Sequence, residues 1–337
     1  MIGTLRQTLL HSPWKSLTGL LLIGTVLTQS LPAPAGALSE TILFAKPGIS
    51  GRYAIFRMRP DGNEMRSVAE IPASCREPDL CAANNCVAFS ALIGKNWHIC
   101  TVNLKTNEMK QITGGHSDSR HPVWYPNGSK IFYETDTWGQ SELAVIDLAT
   151  QTTQRLTFNQ CINRYPALSP DGTKLAYTSW INGFANVFEL TLDSGQLEDI
   201  SSWNHTWTVN TIVKKRKCLT KGHRPCTRPS WSSDSRHVAF ECLDYKNTFL
   251  ATNDEDAKIR KHMQKNCLRA KDPAWSPDGR QILYRCDRKN EHTLKLYDVS
   301  SGTVSDFPRQ FSEAVCDLVW QRCPLPWSID EAVQMPQ

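Results

Sequence analysis

A proline-led segment recurs along this chain and constrains its fold more than any other feature. The copies start at Pro78, Pro122, Pro166, Pro229 and Pro273, at intervals of 44, 44, 63 and 44 residues. In every copy an aromatic residue stands eleven positions after the proline: Phe89, Tyr133, Tyr177, Phe240 and Tyr284. Ungapped recurrence at this period indicates stacked structural units that bury a continuous core between neighbours.

Each copy has the pattern of several short strands, as in "PALSPDGTKLAYTSW" from Pro166. Asp-Gly or Asn-Gly marks a tight turn between two apolar runs, and two further apolar runs follow. The first strand ends on a bulky residue two positions after the proline: Leu80, Trp124, Leu168, Trp231 or Trp275. Four such strands cannot bury both of their faces alone, so a radial arrangement of small sheets is favoured.

The two ends of the chain supply complementary parts of one more unit. Near the C-terminus, "AVCDLVWQRC" places Trp320 45 residues after Trp275, and residues 41–70 hold three further apolar runs. The sequence therefore predicts an all-β, six-bladed β-propeller over residues 38–323. The C-terminal strand would pair with the N-terminal strands and close the ring, and residues 324–337 would form a tail.

The first 37 residues have the order of a secretory signal peptide. Arg6 and Lys15 precede an apolar run at 17–27, and small residues precede an expected cleavage after Ala37. The alternative is an uncleaved membrane anchor. Cleavage would lower the formal net charge from +5 to +3, that is 36 cations minus 33 acids, which does not favour a nucleic-acid partner. We expect a periplasmic or secreted protein with no transmembrane segment after cleavage.

All twelve cysteines follow residue 37, an even number that indicates disulfides in an oxidising compartment. No CxxC motif occurs, so a zinc ribbon is not expected. From their positions in the repeat we predict three pairs: Cys242 with Cys267, Cys286 with Cys316, and Cys81 with Cys86.

"SPDGTKLAY" and "SPDGRQILY" resemble the WD40-like Pro-Asp (PD40) repeats of TolB-like propellers and of prolyl oligopeptidase propellers. The resemblance implies a propeller that binds a protein or an envelope component. TolB carries an extra α/β domain before its propeller, for which we expect no counterpart between the cleavage site and the first strand. The Gly-x-Ser-x-Gly motif of the oligopeptidase hydrolase domain does not occur, so serine hydrolysis is not expected.

Cations recur immediately before the prolines. Four of them stand two positions upstream and Arg228 stands one position upstream; the four are Arg76, Arg120, Arg164 and Lys271. Equivalent positions of a propeller form a ring, so we predict a cationic mouth that attracts an anionic group. The alternative is that each cation pairs with a nearby acid such as Glu77 or Asp272, without any ligand.

Two other features bear on function. His116, His121 and His223 precede innermost strands and could hold a metal, although solvated loop histidines are the more common case and no HExxH motif occurs. The long 63-residue interval contains an insertion, "SWNHTWTVNTIVKKRK", and the outer strand of that unit is either 197–201 or 216–220. Insertions in rigid scaffolds often carry recognition.

From these observations we expect an exported, monomeric, non-catalytic scaffold without a cofactor, which binds a protein or cell-envelope component at the channel mouth. The alternative is a propeller lyase or hydrolase that acts on an anionic carbohydrate or ester, with a metal held by the three histidines. Fold alone does not decide between them.

Overall fold

The computed structural model describes residues 39–48, 50–181, 183–192, 213–220, 224–244, 247–253, 259–262, 267–288, 291–309, 311 and 315–323. The predicted signal peptide, the predicted tail and residues 202–212 of the insertion lie outside the described residues. Within them every regular element is a β-strand. No helix in the described part of the chain is long and apolar enough to cross a membrane.

The strands are short and follow one another closely along the chain. The first eight are β1 (Ser39–Pro47), β2 (Tyr53–Met58), β3 (Arg66–Ser67), β4 (Cys75–Cys81), β5 (Cys86–Ile93), β6 (Asn96–Asn103), β7 (Met109–Gln111) and β8 (Ser119–Trp124). The next eight are β9 (Lys130–Thr135), β10 (Glu142–Asp147), β11 (Thr153–Arg155), β12 (Ile162–Leu168), β13 (Lys174–Ile181), β14 (Phe184–Leu192), β15 (Val213–Cys218) and β16 (Cys226–Trp231). The last eight are β17 (Val238–Asp244), β18 (Asn247–Asn253), β19 (Ile259–His262), β20 (Arg269–Trp275), β21 (Gln281–Arg288), β22 (Glu291–Asp298), β23 (Val304–Asp306) and β24 (Cys316–Cys323).

The all-β propeller is confirmed, but the predicted count of six blades is wrong. Among the described residues, four separate four-stranded blades are present: β24-β1-β2-β3, β4 to β7, β8 to β11 and β12 to β15. The remaining strands, β16 to β23, form a single eight-stranded sheet. Its two antiparallel arms are joined by one parallel bridge, Thr248 opposite Arg269, which merges what the repeat pattern treats as separate units.

The two ends of the described chain share one blade, as predicted. Strand β24 pairs antiparallel with β1, and Ile42 lies opposite Trp320. The inner strands β4, β8, β12, β16, β20 and β24 each contact the next, and β24 contacts β4. The circle is therefore closed by hydrogen bonds between the beginning and the end of the propeller.

The recurring turn closes on its own side chains. In the turn after β12, Ser169 Oγ donates to Asp171 Oδ1 (2.6 Å), and the same carboxylate accepts from the backbone N–H of Thr173 at 3.0 Å. Gly172 adopts a φ of 73°, and a Cβ there would lie 2.9 Å from the Tyr125 ring of the neighbouring blade. Gly is required here by both the left-handed backbone and the close approach between blades.

The core lies between neighbouring sheets. The recurring aromatic residues are 0–4% exposed, as a propeller core requires: Phe89, Tyr133, Tyr177, Phe240 and Tyr284. The tryptophans at the corresponding position of four inner strands are also buried: Trp124, Trp231, Trp275 and Trp320. Clusters of buried side chains join neighbouring blades, as where Phe132 packs with Tyr177, and a further cluster joins the two arms of the eight-stranded sheet. Rigid walls of this kind fix the positions of the side chains that face the channel.

The outer strand of the blade with the insertion is β15. It pairs with β14, with Phe188 opposite Cys218, so the predicted segment 216–220 overlaps the observed strand. The other candidate, 197–201, lies outside the described residues. The basic run Lys214–Lys217 therefore belongs to an edge strand rather than to a free loop.

The predicted disulfide connectivity is wrong, although disulfides are present. The structure pairs Cys226 with Cys242 and Cys267 with Cys286, each between an inner strand or the segment leading into it and the next strand of the same arm. Cys242 and Cys267 therefore have other partners than each other, and Cys81, Cys86 and Cys316 are free thiols, so none of the predicted pairs Cys242–Cys267, Cys286–Cys316 and Cys81–Cys86 occurs. Disulfides indicate an oxidising, extracytoplasmic compartment.

Candidate functional site

A β-bulge interrupts each inner strand, and on β4, β8, β12, β16 and β20 it lies at the residue before the recurring proline. On β4, Arg76 lies opposite Ser90 and Asp79 lies opposite Ala88, so two residues face one across the pair. Proline favours the bulge on these five strands because it has no N–H to donate to the ladder, whereas β24 has the same irregularity at Asp317 without a proline. The inner strands begin at one end of the propeller, termed the mouth face, and the bulges lie close to that end.

The bulge residues form a ring of side chains at one level of the channel. All have a φ between 51° and 59°, and they are Glu77, His121, Tyr165, Arg228, Asp272 and Asp317. These six residues are termed the bulge ring. A left-handed φ is costly for residues other than glycine, and such strain persists only where the surroundings enforce it.

Neighbouring side chains enforce this backbone conformation, because they accept hydrogen bonds from the N–H groups that the bulge removes from the strand ladder. The N–H of His121 donates to Glu77 Oε2 (3.2 Å) and to Ser90 Oγ (3.1 Å). The N–H of Tyr165 donates to Glu134 Oε2 at 3.0 Å. The position twelve residues after the proline supplies several of these polar groups, and it holds Ser90, Glu134, Thr178, Glu241 and Arg285. A propeller-wide hydrogen-bond network thus holds the bulge ring in place.

His121 lies between two carboxylates. Its Nε2 is 3.3 Å from Glu77 Oε1, its Nδ1 is 3.2 Å from Glu134 Oε1, and its ring packs edge-on against Tyr165 at 4.6 Å. Burial opposes a charge on the imidazole, but the carboxylates of Glu134 and Glu77 outweigh it and raise the pKa of His121. A protonated His121 therefore neutralises part of the acidic charge of the ring.

We expect His121→Gln to remove a pH-dependent part of the stability. A raised pKa in the folded state means that the protonated imidazole stabilises the protein below pH about 6.5, and that this contribution is lost as pH rises through the folded-state pKa. Burial also raises the pKa values of Asp79 and Glu241 to about 7. Their titration lowers the free energy of unfolding as pH rises, in the wild type and in the His121→Gln variant alike. Urea unfolding from pH 6 to 9 should show a smaller decline for the variant; equal declines would contradict this assignment.

Arg228 lies among the three carboxylates of Glu241, Asp272 and Asp317. Its guanidinium lies 2.8 Å from Asp272 Oδ1, 3.2 Å from Glu241 Oε1 and 3.5 Å from Asp317 Oδ1. It also stacks over the Tyr165 ring at 4.6 Å. Burial acts against the charge, but these carboxylates raise the pKa of Arg228, so the side chain is a permanent cation.

Two other predicted cations are also committed to acids, as the alternative interpretation of the sequence anticipates. Arg76 Nε lies 3.1 Å from Asp317 Oδ2, and its guanidinium stacks over Tyr53. Arg120 lies 3.7 Å from Glu77 Oε1 and stacks over Trp97 at 4.1 Å. Because both arginines already form ion pairs within the network, their charge is largely neutralised and is not available to a ligand.

Arg164 and Lys271 differ from the other predicted cations. Arg164 is exposed on β12 and Lys271 is half-buried on β20, and neither forms an ion pair within 4 Å with any residue that the structure describes. Arg164 acts on Glu134 only at longer range, where it lowers the pKa of that carboxyl. These two cations remain available to an anionic group at the mouth face.

A cavity of about 560 Å³ runs between the inner strands, from the bulge ring toward the Ser-Pro-Asp-Gly turns. Of the five predicted cations, its described lining includes Arg228 alone, so the ring of cations predicted for the mouth does not line this cavity. Asp79 lies in its wall, where it accepts from the Trp124 N–H (2.7 Å) and from Gln321 Nε2 (3.0 Å). Burial raises the pKa of Asp79 to about 7.

The predicted metal-binding histidines are not brought together in the described part of the chain. His121 is held between carboxylates, His116 is exposed, and His223 lies outside the described residues. No group of three or more His, Cys, Asp or Glu side chains among the described residues is arranged to hold a metal ion.

The sequence pattern did not predict that the acidic residues of this network lie together at the channel: Glu77, Glu134, Glu241, Asp272 and Asp317. Glu134 and Glu241 stand directly after the recurring aromatic, within strands that are otherwise buried and apolar. An acidic residue directly after the buried aromatic could have indicated the site, because a buried carboxylate needs a hydrogen-bond donor or a cation as its partner. Asp317 has no following proline, so the repeat search did not align it with Glu77 and Asp272.

The profile of the PD40 family, described as the TolB beta propeller domain, matches residues 30–216. A search of curated proteins found no match.

Solved structures share this fold at low sequence identity. TolB from Acinetobacter baumannii has a TM-score of 0.68 and 19% identity, covering 85% of this chain and 67% of that one. A putative TolB from Agrobacterium tumefaciens has a TM-score of 0.60 and 14% identity, covering 81% and 89%. A puromycin-hydrolyzing peptidase of Mycobacterium tuberculosis has a TM-score of 0.54 and 13% identity, covering 81% and 46%. Such identities support the fold alone.

Proposed function

The chain belongs to the PD40 family of TolB β-propeller domains, and from that membership we propose that it is an exported, non-catalytic scaffold. Its binding site is the mouth face of the channel, and its partner is a protein or another cell-envelope component in the periplasm or outside the cell. The observation that carries the proposal is the pre-formed charged mouth, where Arg164 and Lys271 stand beside a closed network of ion pairs.

The rigidity of the mouth supports a binding role. The bulge ring is held by hydrogen bonds from its backbone N–H groups to side chains of the same network, so binding would cost little ordering entropy. His121 is held between the carboxylates of Glu77 and Glu134, and Arg228 is a permanent cation that does not release a proton. The ion pairs fix the geometry of the mouth, and Arg164 and Lys271 supply the charge for electrostatic recognition.

The test compares capture of envelope and secreted components by the immobilised mature chain and by two variants. Arg164→Glu with Lys271→Glu reverses charge at the mouth, and Lys105→Glu with Lys110→Glu makes the same change at exposed sites at the outer edge of one blade. We expect capture to fall about tenfold for the mouth variant and to be unchanged for the other, since rim charges act on association.

Circular dichroism melting of each variant checks that the fold is retained. Equal capture by the mouth variant and the wild type would refute the binding site. Conversion of an added anionic polysaccharide or ester by the purified chain would refute the non-catalytic role and favour an enzyme.

A further inference from the structure

Exposed apolar side chains are unevenly distributed over the propeller. Among the described residues, seven of the ten exposed large hydrophobic residues lie at the mouth face: Leu92, Ile93, Phe158, Ile162, Phe184, Leu243 and Leu268. They stand where inner strands begin or where the second strand turns into the third. The other three, Met109, Val299 and Val304, lie on outer strands or on the turn between β22 and β23. An apolar excess at one face indicates an interaction surface.

Most of this apolar surface belongs to one side of the mouth face. Phe158, Ile162 and Phe184 lie at the blade of β12 to β15, and Leu243 and Leu268 lie at the eight-stranded sheet next to it. These five residues are termed the apolar sector. The two sheets are neighbours, because β16 contacts β12, β13 and β14.

Strand pairing places four of the five residues of the apolar sector in two groups. Ile162 lies opposite the half-buried Trp180, one residue from the hairpin that carries Phe184. Leu243 lies opposite Thr248, whose N–H donates to the carbonyl of Leu268 at 3.0 Å. Each group is thus fixed by strand pairing, as a pre-formed docking surface requires.

The two uncommitted cations belong to the same side. Arg164 lies two residues after Ile162 on β12, and Lys271 lies three residues after Leu268 on β20. On the opposite side, Arg76 and Arg120 are engaged by Asp317 and Glu77. Available positive charge and exposed apolar surface therefore coincide.

We propose that the apolar sector, together with Arg164 and Lys271, binds a protein partner that presents acidic side chains among apolar ones. The inference rests on the proposed function, because it names the part of the mouth face and the partner chemistry. Apolar contacts would supply affinity at the centre of such an interface, and the two cations would select acidic partners and speed their encounter.

A protein surface fits this sector better than a lipid bilayer does. The five side chains are 42–52% exposed, so each lies along the surface with about half of its area covered. Anchoring in a membrane needs apolar side chains that reach about 5–10 Å into the headgroup region. Half-covered side chains on strands, or on segments that lead into them, offer apolar surface for packing against another protein.

The test is site-specific photo-cross-linking of the full chain in the organism that encodes it. p-Benzoylphenylalanine replaces Phe184 or Leu243 in the sector, Ile93 on the opposite side of the mouth face, or Val299 on the turn after β22. We expect a protein adduct at Phe184 and Leu243 that falls about tenfold when Arg164→Glu and Lys271→Glu are added, since opposed charges weaken the complex. Neither cation forms an ion pair within 4 Å with a described residue, and thermal melting of the charge-reversed chain checks that it remains folded.

The outcomes separate the two proposals. A protein adduct at Ile93 and none at Phe184 or Leu243 would overturn the sector while leaving a mouth-face partner in place. No protein adduct at any mouth-face position would overturn both. Lipid adducts at Phe184, together with binding of the purified chain to phosphatidylglycerol vesicles, would show that the partner is a membrane and would overturn the proposed protein partner. An adduct insensitive to charge reversal, also with Arg164→Gln and Lys271→Gln, would overturn the acidic chemistry.

Discussion

Replacing Arg228 with Met should lower the free energy of unfolding by about 3–5 kcal/mol at pH 8, because it leaves the buried Glu241 carboxylate, 8% exposed, without an ion-pair partner among the described residues. Asp317 keeps Arg76 and Asp272 keeps Arg285, so each of these carboxylates loses one of its cations. Met preserves the aliphatic volume, so the loss reports on charge rather than on packing. Urea unfolding measures the difference.

The pH dependence identifies the cause of this loss. Burial raises the pKa of Glu241 to about 7 although Arg228 acts to lower it, so removing the guanidinium raises that pKa further. An acid whose folded-state pKa is raised binds its proton more tightly in the fold, and stability is then regained as pH falls. The deficit should shrink between pH 8 and pH 5. Arg228→Lys, which keeps one positive charge, should lose less; equal losses for Lys and Met would contradict the ion-pair account.

Repetition in sequence predicted the part of this fold that repeats. The aromatic residues, the turns and the pairing of β24 with β1 all follow from interdigitating apolar side chains and from turn chemistry, which are local properties. The blade count did not follow, because one parallel bridge between Thr248 and Arg269 merges two arms. That bridge depends on where β18 and β20 begin relative to each other, which no repeat pattern encodes.

Disulfide pairing failed for a related physical reason. Two of the three predicted pairs joined cysteines of neighbouring units, whereas Cys226 and Cys242 face each other across one antiparallel pair of strands. Directly opposed residues in a sheet lie close enough for a disulfide without any backbone movement. The register of β16 against β17 is shifted by the bulge, so counting residues from Pro229 alone did not reveal this pair.

The candidate site was only half predictable. The cations were visible because they recur at fixed distances from the prolines, but their ion pairs were not. Bulges turn Glu77, Asp272 and Asp317 toward the channel, and the period of a regular strand would direct them differently. The distinction between committed arginines and the available Arg164 therefore required the structure.

Closure of the ring depends on Trp320, and Trp320→Ala should lower the free energy of unfolding by about 3–5 kcal/mol through the cavity it leaves. The indole is 8% exposed, lies opposite Ile42, and donates from Nε1 to Glu40 Oε2 at 3.0 Å. Unlike β20 and β21, β24 and β1 are not joined by a short loop, so only their backbone pairing and side-chain contacts, including those of Trp320, oppose separation of the ends.

The matched control is Trp275→Ala, at the equivalent repeat position and 6% exposed, where β20 continues through a short turn into β21. Both variants should lose similar global stability, since each removes one buried indole. Hydrogen exchange should separate them: amides of β1 and β24 should lose protection in Trp320→Ala and keep it in Trp275→Ala, because only the first weakens the closing pair. Equal protection of β1 in the two variants would mean that the ring is closed by backbone pairing alone, without help from the indole.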